Sequence, residues 1–212
     1  MTKGNLIDES LSLTAFASGA KLLGEQSKKG APMTVTNEQA IQTKAYVVPK
    51  GTGPTDVWFP AGEGRRWTTK VGAEQTEGRL LQLVGSEPRG AASPLHVYRN
   101  ADELYYVIDG EVTIFVGDER IEAQAGDVVL APKGVPNAFV VRSERAEVLV
   151  TFSPAGVKGP AGVGLDGFFR EIGIPVVDGE APPQAAEPDP EEFSRKAARY
   201  GCEIVGPPPA LD

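Results

Sequence analysis

An all-β fold, a sandwich or a barrel, is what this 212-residue sequence predicts. Two observations carry that reading. Short runs rich in β-branched and aromatic residues recur between Ala45 and Phe152, and turn residues close them. Many short strands at such spacing, punctuated by glycine and proline, mark closed or stacked antiparallel sheets.

Taken in chain order, the first segment stands apart from that rhythm. Residues 5 to about 24 carry Leu6, Ile7, Leu13, Phe16, Ala20 and Leu23 at near-helical spacing. Such a stripe predicts a helix that needs a surface to cover, either the β domain or a second subunit. Ser27 to Pro32 is a polar break, and Thr34 to Lys44 reads as weakly helical or irregular. The predicted strands then follow: Tyr46–Val48, Val57–Phe59, Arg66–Lys70, Leu80–Val84, Leu104–Ile108, Val112–Val116, Val128–Ala131, Ala138–Val141 and Val148–Phe152. Gly51-Thr52-Gly53-Pro54, Ala61-Gly62-Glu63-Gly64, Asp109-Gly110, Gly117-Asp118 and Lys133-Gly134 supply turns between them.

After Pro154 the strand pattern stops. Leu165 to Ile172 predicts a short helix carrying Phe168 and Phe169, and Val176 to Pro188 reads as a proline-rich acidic linker. Asp189-Pro190-Glu191-Glu192 is a helix start, with an N-cap Asp, a proline at the first helical position and acids in the first turn. That helix runs through Phe193, Ala197 and Ala198 and stops at Gly201. The organisation expected is an N-terminal helical extension (1–44), a β domain (45–156) and a C-terminal helical, proline-rich extension (157–212).

A net charge of −8 with no basic stripe argues against nucleic acid as a partner. One cysteine, Cys202, rules out a disulfide within the chain and suits a reducing cytoplasm. No run approaches the ~18 apolar residues of a membrane span. Asp8 and Glu9 stand where a signal peptide would be basic, so a cytoplasmic protein is expected. Gly159 to Gly164 does not match a dinucleotide-binding fingerprint, and with a single histidine a Ser/His/Asp hydrolase is improbable.

That single histidine, His96, lies in Pro94-Leu95-His96-Val97-Tyr98, with Glu103 and Gly110 downstream. A second block reads Gly126, five residues, Pro132-Lys133-Gly134, two residues, Asn137. These two blocks resemble the paired motifs of the cupin superfamily, His-x-His…Glu…Gly and Gly…Pro-x-Gly…His. The resemblance runs from about Tyr46 to Pro209, including a tail like that of quercetin-dioxygenase-like monocupins. It turns the sandwich-or-barrel alternative into a double-stranded β-helix, the jelly-roll cupin barrel, flanked by N- and C-terminal helical extensions. It also implies a homodimer.

In cupins, three imidazoles and the Glu converge on a transition metal. Here Tyr98 and Asn137 stand in two histidine positions. Carried over residue by residue, the resemblance directs His96, Tyr98, Glu103 and Asn137 into one cavity. Alternation along the strands then adds Tyr105 and Val107 on one side and Phe139 and Val141 on the other. Glu103, His96 and Tyr98 are the candidate catalytic groups, with Asn137, Tyr105, Phe139, Val107 and Val141 binding a small-molecule substrate. Trp58 and Trp67 are candidates for the pocket mouth or for an edge contact.

No cofactor is expected, because two of the three imidazoles are replaced. Were a metal present, His96, Glu103 and Tyr98 would be its ligands. Three functions compete: a metal-independent isomerase, cyclase or lyase acting by acid–base chemistry on an apolar oxygenated or polyketide-like metabolite; a quercetinase-like dioxygenase with an altered ligand set; and a non-catalytic binder.

Overall fold

Leu81–Pro88 and Arg145–Ser153 alternate inward and outward side chains along their length, and they pair antiparallel from Leu81↔Phe152 to Pro88↔Arg145. Period-two patterning of this kind buries one face and solvates the other. The other elements assemble around that pair in a computed structural model that describes residues 45–60, 64–156, 158–159, 162–181 and 188–211. The apolar stripe between Leu6 and Leu23 lies outside the described residues.

In chain order the strands are β1 (Asp56–Trp58), β2 (Arg66–Val71), β3 (Leu81–Pro88), β4 (Leu95–Tyr98), β5 (Asp102–Asp109), β6 (Glu111–Val116) and β7 (Glu119–Gln124). They continue with β8 (Val128–Ala131), β9 (Asn137–Val141), β10 (Arg145–Ser153), β11 (Lys158–Gly159), β12 (Gly162–Val163), β13 (Ile174–Pro175) and β14 (Cys202–Gly206). Helix α1 spans Leu165–Ile172 and α2 spans Pro190–Ala198. One sheet has the order β13-β1-β2-β3-β10-β5-β8 and the other β14-β4-β9-β6-β7, with β11 and β12 as a separate hairpin. Two antiparallel sheets, with consecutive strands passing from one sheet to the other, form the jelly-roll barrel. Leu81, Leu83, Val107, Ile114 and Val141 fill its interior with no exposed surface. Each such burial contributes about 1.5–3 kcal/mol.

Gly110 turns β5 into β6 at φ +83°, and a Cβ there would stand 2.4 Å from the carbonyl oxygen of Arg145. Only glycine fits that close approach.

The structure corrects several sequence expectations. Tyr46–Val48 is irregular rather than a strand; it has no ladder partner among the described residues, and Tyr46 and Val47 are exposed. Strand β7 was not foreseen. Only Ile121 and Ala123 of its six residues face inward, and its charged outer positions suit an edge strand. After Ser153 the chain leaves β10 but later returns: β13 pairs with β1, and β14 pairs with β4. The tail therefore supplies an outer strand to each sheet. Its helices lie where the sequence set them. Asp189 caps α2 by accepting the Glu192 N–H at 2.8 Å, and Pro190 takes the first helical position.

Candidate functional site

Strand β4 carries His96 and β5 carries Glu103, one strand in each sheet. Both side chains turn inward, and His96 and Glu103 are 6 % and 4 % exposed. The imidazole Nδ1 lies 2.8 Å from the carbonyl oxygen of Pro94. A carbonyl only accepts, so Nδ1 carries a hydrogen and donates it. Nε2 faces the Glu103 carboxylate at 3.3 Å. A bare Nε2 lone pair against a carboxylate oxygen would be repulsive, so one proton is shared across that contact and the dyad is neutral as a unit.

Burial works against the imidazolium of His96, but the Glu103 carboxylate and the Pro94 carbonyl outweigh it and hold its pKa above the ordinary value. Pro94 thus fixes one tautomer and aims Nε2, the orienting role a backbone carbonyl plays for many functional histidines.

Tyr98 packs edge-on against His96, with ring centroids 5.1 Å apart, and against Phe152 at the same distance. Burial, reinforced by Cys202 and Glu103, pushes its phenol well above 10. Its strand partner across β4 and β14 is Cys202, whose thiol burial pushes up to about 12. Tyr105 is likewise held neutral, by burial first and Glu103 second, and it donates to Asn137 Oδ1 at 2.8 Å. Gly134, in the turn before β9, donates its N–H to the Tyr98 carbonyl at 2.8 Å and ties that turn to the site.

These groups meet in a cavity of about 60 Å³. Its polar wall is His96, Tyr98, Glu103, Tyr105 and Cys202. Its apolar wall is aromatic: Trp67, Phe139 and Phe152 come from the barrel, Phe168 and Phe169 from α1, and Phe193 from α2. Phe168 stands 5.7 Å from Phe193, and Trp67 stacks on Phe169 at 5.4 Å. The tail is thus part of the cavity wall. A space of this size holds about four to six water-sized groups, far less than the ~300–1,000 Å³ of a drug-sized site.

Of the sequence-predicted residues, His96, Tyr98, Glu103, Tyr105 and Phe139 line the cavity together. Asn137 is buried beside it, behind the Tyr105 hydroxyl. Val107 and Val141 point inward but lie in the core, away from the cavity; strand alternation fixes a residue's face and not its position along the barrel. Trp67 is a wall residue, while Trp58 sits half-buried near the Arg66 guanidinium.

Sequence reasoning missed Arg65. It lines the same cavity, lies over the Phe59 ring at 4.5 Å, and pairs with Glu87, Nε to Oε2 at 2.6 Å and Nη2 to Oε1 at 3.4 Å. Both side chains are buried, at 7 % and 1 % exposure. Burial pushes the Glu87 carboxyl upward, and the Arg65 guanidinium is the main force opposing it. No motif could have revealed this pair, because only the barrel brings positions 65 and 87 together.

The four-ligand cupin metal set does not fit these side chains. His96 and Glu103 are turned onto each other, Tyr98 is held as a neutral phenol, and Asn137 Oδ1 is taken by Tyr105. Among the described residues, no group of three or more His, Cys, Asp or Glu is placed to hold a metal ion.

Residues 82–152 match the cupin domain family, so this part of the barrel is a cupin domain. The chain is 30 % identical over 137 residues to quercetin 2,3-dioxygenase of Bacillus subtilis (strain 168), covering 64 % of this chain and 38 % of that protein. It is 45 % identical over 53 residues to an uncharacterised Streptomyces coelicolor protein, covering 25 % of this chain and 50 % of that one. The chain thus spans half or less of the curated relatives it matches. Among solved structures it is similar to a predicted oxalate decarboxylase of Thermotoga maritima (TM-score 0.46, 19 % identity, 52 % of this chain and 99 % of that one). KdgF from Halomonas sp. is also similar (TM-score 0.41, 22 % identity, 46 % and 86 %). Among the described residues, no helix is long and apolar enough to cross a membrane.

Proposed function

We propose that this cupin is an enzyme acting on a small apolar, oxygenated molecule by proton transfer, without a metal. One observation carries the reading: the buried His96–Glu103 dyad, its tautomer pinned by Pro94, facing an aromatic cavity. A carboxylate and an imidazole sharing one proton in a dry site form a general acid–base unit. Tyr98, a neutral phenol, can orient the substrate, while the Tyr105 hydroxyl is committed to Asn137. The size of the cavity favours a compact substrate. A polycyclic, polyketide-like one would have to displace Phe168, Phe169 and Phe193.

The test is Glu103→Gln, which preserves shape and removes the ionisable group. Turnover should fall about 10²–10⁴-fold with the fold intact. Near wild-type turnover would make the carboxylate structural and favour a non-catalytic binder. The dioxygenase reading rests on the Bacillus subtilis relative. Elemental analysis of protein purified without chelators separates the two, since about one Fe, Mn, Ni, Cu or Zn per chain would overturn the metal-independent reading.

We also propose that the protein pairs as a homodimer. Tyr106, Ile108, Val128 and Leu130 are exposed along the neighbouring strands β5 and β8, and among the described residues β8 is the last strand of its sheet. Contiguous apolar surface beside an unpaired edge invites a second copy. A monomer mass by light scattering at micromolar concentration would refute this.

A further inference from the structure

We infer that Phe193 sets the size limit of the site, admitting a single six-membered ring to the His96–Glu103 pair and turning a fused bicyclic one away. This deepens the proton-transfer reading by naming the class of its substrate, a monocyclic oxygenated molecule, and rests on that reading for the reaction.

The wall residues of the cavity differ in how they are held. Five of them, Phe59, Ser93, Pro94, Phe193 and Ile204, keep contact with solvent and mark where the cavity approaches the surface; the other wall residues are buried. Four of these five are tied to the barrel. The Phe59 N–H donates to the Arg65 carbonyl at 2.8 Å, and its ring lies under the Arg65 guanidinium. Ser93 donates its N–H to the Phe139 carbonyl at 3.1 Å and accepts the Phe139 N–H on its hydroxyl at 3.2 Å. Pro94 holds His96 through its carbonyl, and Ile204 pairs with His96 in the ladder of β4 and β14. Phe193 instead comes from α2, in which Ala197 is the one buried residue. Its ring reaches the wall edge-on, 6.1 Å from Phe59 and 5.7 Å from Phe168. The firm anchor of α2 lies at the other end, where Glu171 of α1 pairs with Arg199 and accepts the Tyr200 hydroxyl at 2.8 Å. Phe193 stands about 9 Å of helix rise from Arg199.

The other two tail rings are interlocked in the core. Phe168 packs on Phe169 and Tyr200, and Phe169 stacks on Trp67 and meets Phe152. Deleting either leaves a closed void in the core, whereas deleting the Phe193 ring extends the cavity towards the surface. The sizes then decide the outcome. The cavity of about 60 Å³ accommodates about four to six water-sized groups, which is one six-membered ring. A phenyl ring taken from the wall makes room for one more. The polar wall of His96, Tyr98 and Glu103 takes the oxygen function of the guest, and the aromatic wall takes its ring.

The test uses phenol and 2-naphthol as probes, neutral molecules that share an oxygen function and differ by one fused ring. The chain has a single histidine, so the His96 imidazole signal in NMR reports whether a probe reaches the pair. Phenol should shift that signal saturably in wild type, and 2-naphthol should bind about tenfold or more weakly despite its larger apolar surface. Phe193→Ala should reverse the order by about tenfold or more, because the second ring is then buried rather than excluded. Phe193→Trp should fill the space and weaken phenol about tenfold. Should Phe193→Ala fail to unfold cooperatively, Phe193→Val takes its place with the same expectation. Asp189→Ala weakens the α2 cap, leaves every wall ring in place, and should keep the wild-type order. Equal binding of the two probes by wild type, or an unchanged order in Phe193→Ala, overturns the assignment. Admission of 2-naphthol by Asp189→Ala overturns it too, because the limit then belongs to the helix as a whole. Glu103→Gln should keep the order, since the limit lies in the wall. A size limit that holds beside undiminished turnover in Glu103→Gln supports the role of Phe193 and overturns the proton-transfer reading instead.

Discussion

Replacing Glu103 by Gln should lower the pKa of His96, and the direction follows from what surrounds the ring. Burial opposes the imidazolium; the hydrogen bond and charge of Glu103 and the Pro94 carbonyl favour it, and together they win. Glutamine removes the charge and leaves only a weaker, neutral acceptor, so burial is opposed by less. A charge-assisted hydrogen bond contributes about 1.5–3 kcal/mol, and at 3.3 Å this one belongs at the lower end. The sign of the stability effect follows. A group whose pKa is raised by folding stabilises fully below its unfolded value near 6.5, and that contribution is lost as pH rises through the folded pKa. Wild type should therefore exceed Glu103→Gln in stability by about 1.5 kcal/mol near pH 6, with the margin shrinking towards pH 9. The assay is direct because the chain has one histidine: a single imidazole signal is followed by NMR across the pH range, beside urea unfolding at the two pH values. Superimposable titration curves for the two proteins would refute the shared-proton dyad.

Three further outcomes are expected. Phe168→Ala removes a ring packed on Phe169, Phe193 and Tyr200 and should destabilise the fold by about 3–5 kcal/mol, read from urea midpoints. Asp189→Ala deletes the α2 cap and should cost about 1 kcal/mol, and an unchanged midpoint would show that the tail is held by packing alone. Cys202, buried and with its thiol pushed up to about 12, should resist disulfide reagents at pH 8 until the protein unfolds; prompt labelling of native protein would contradict that burial.

How far the sequence disclosed this molecule depended on whether a feature was local. Strands such as β3 and β10 were legible because alternation runs through them, and α2 because Asp189, Pro190 and Gly201 mark its ends. His96 and Glu103 were legible through the spacing of the two motif blocks. Strand β14 was not: Cys202 to Gly206 carries only two inward anchors, Cys202 and Ile204, and its pairing with β4 reaches back about a hundred residues. Arg65 and Glu87 escaped notice for the same reason, since a lone Arg before one strand and a lone Glu within another carry no mark of their contact. Val107 and Val141 show the converse limit, where a correct face was assigned to the wrong depth.

The division of the cavity wall between barrel and tail has an evolutionary consequence. The His96–Glu103 pair sits on β4 and β5, whereas Phe168, Phe169, Phe193, Cys202 and Ile204 all lie beyond residue 164 and outside the matched family region. Mutations in the tail can therefore reshape the cavity while His96 and Glu103 stay where they are. A lineage could diversify its chemistry by drift in one terminal segment, with the barrel as an unchanged chassis, and relatives that share the dyad should differ most in their last fifty residues.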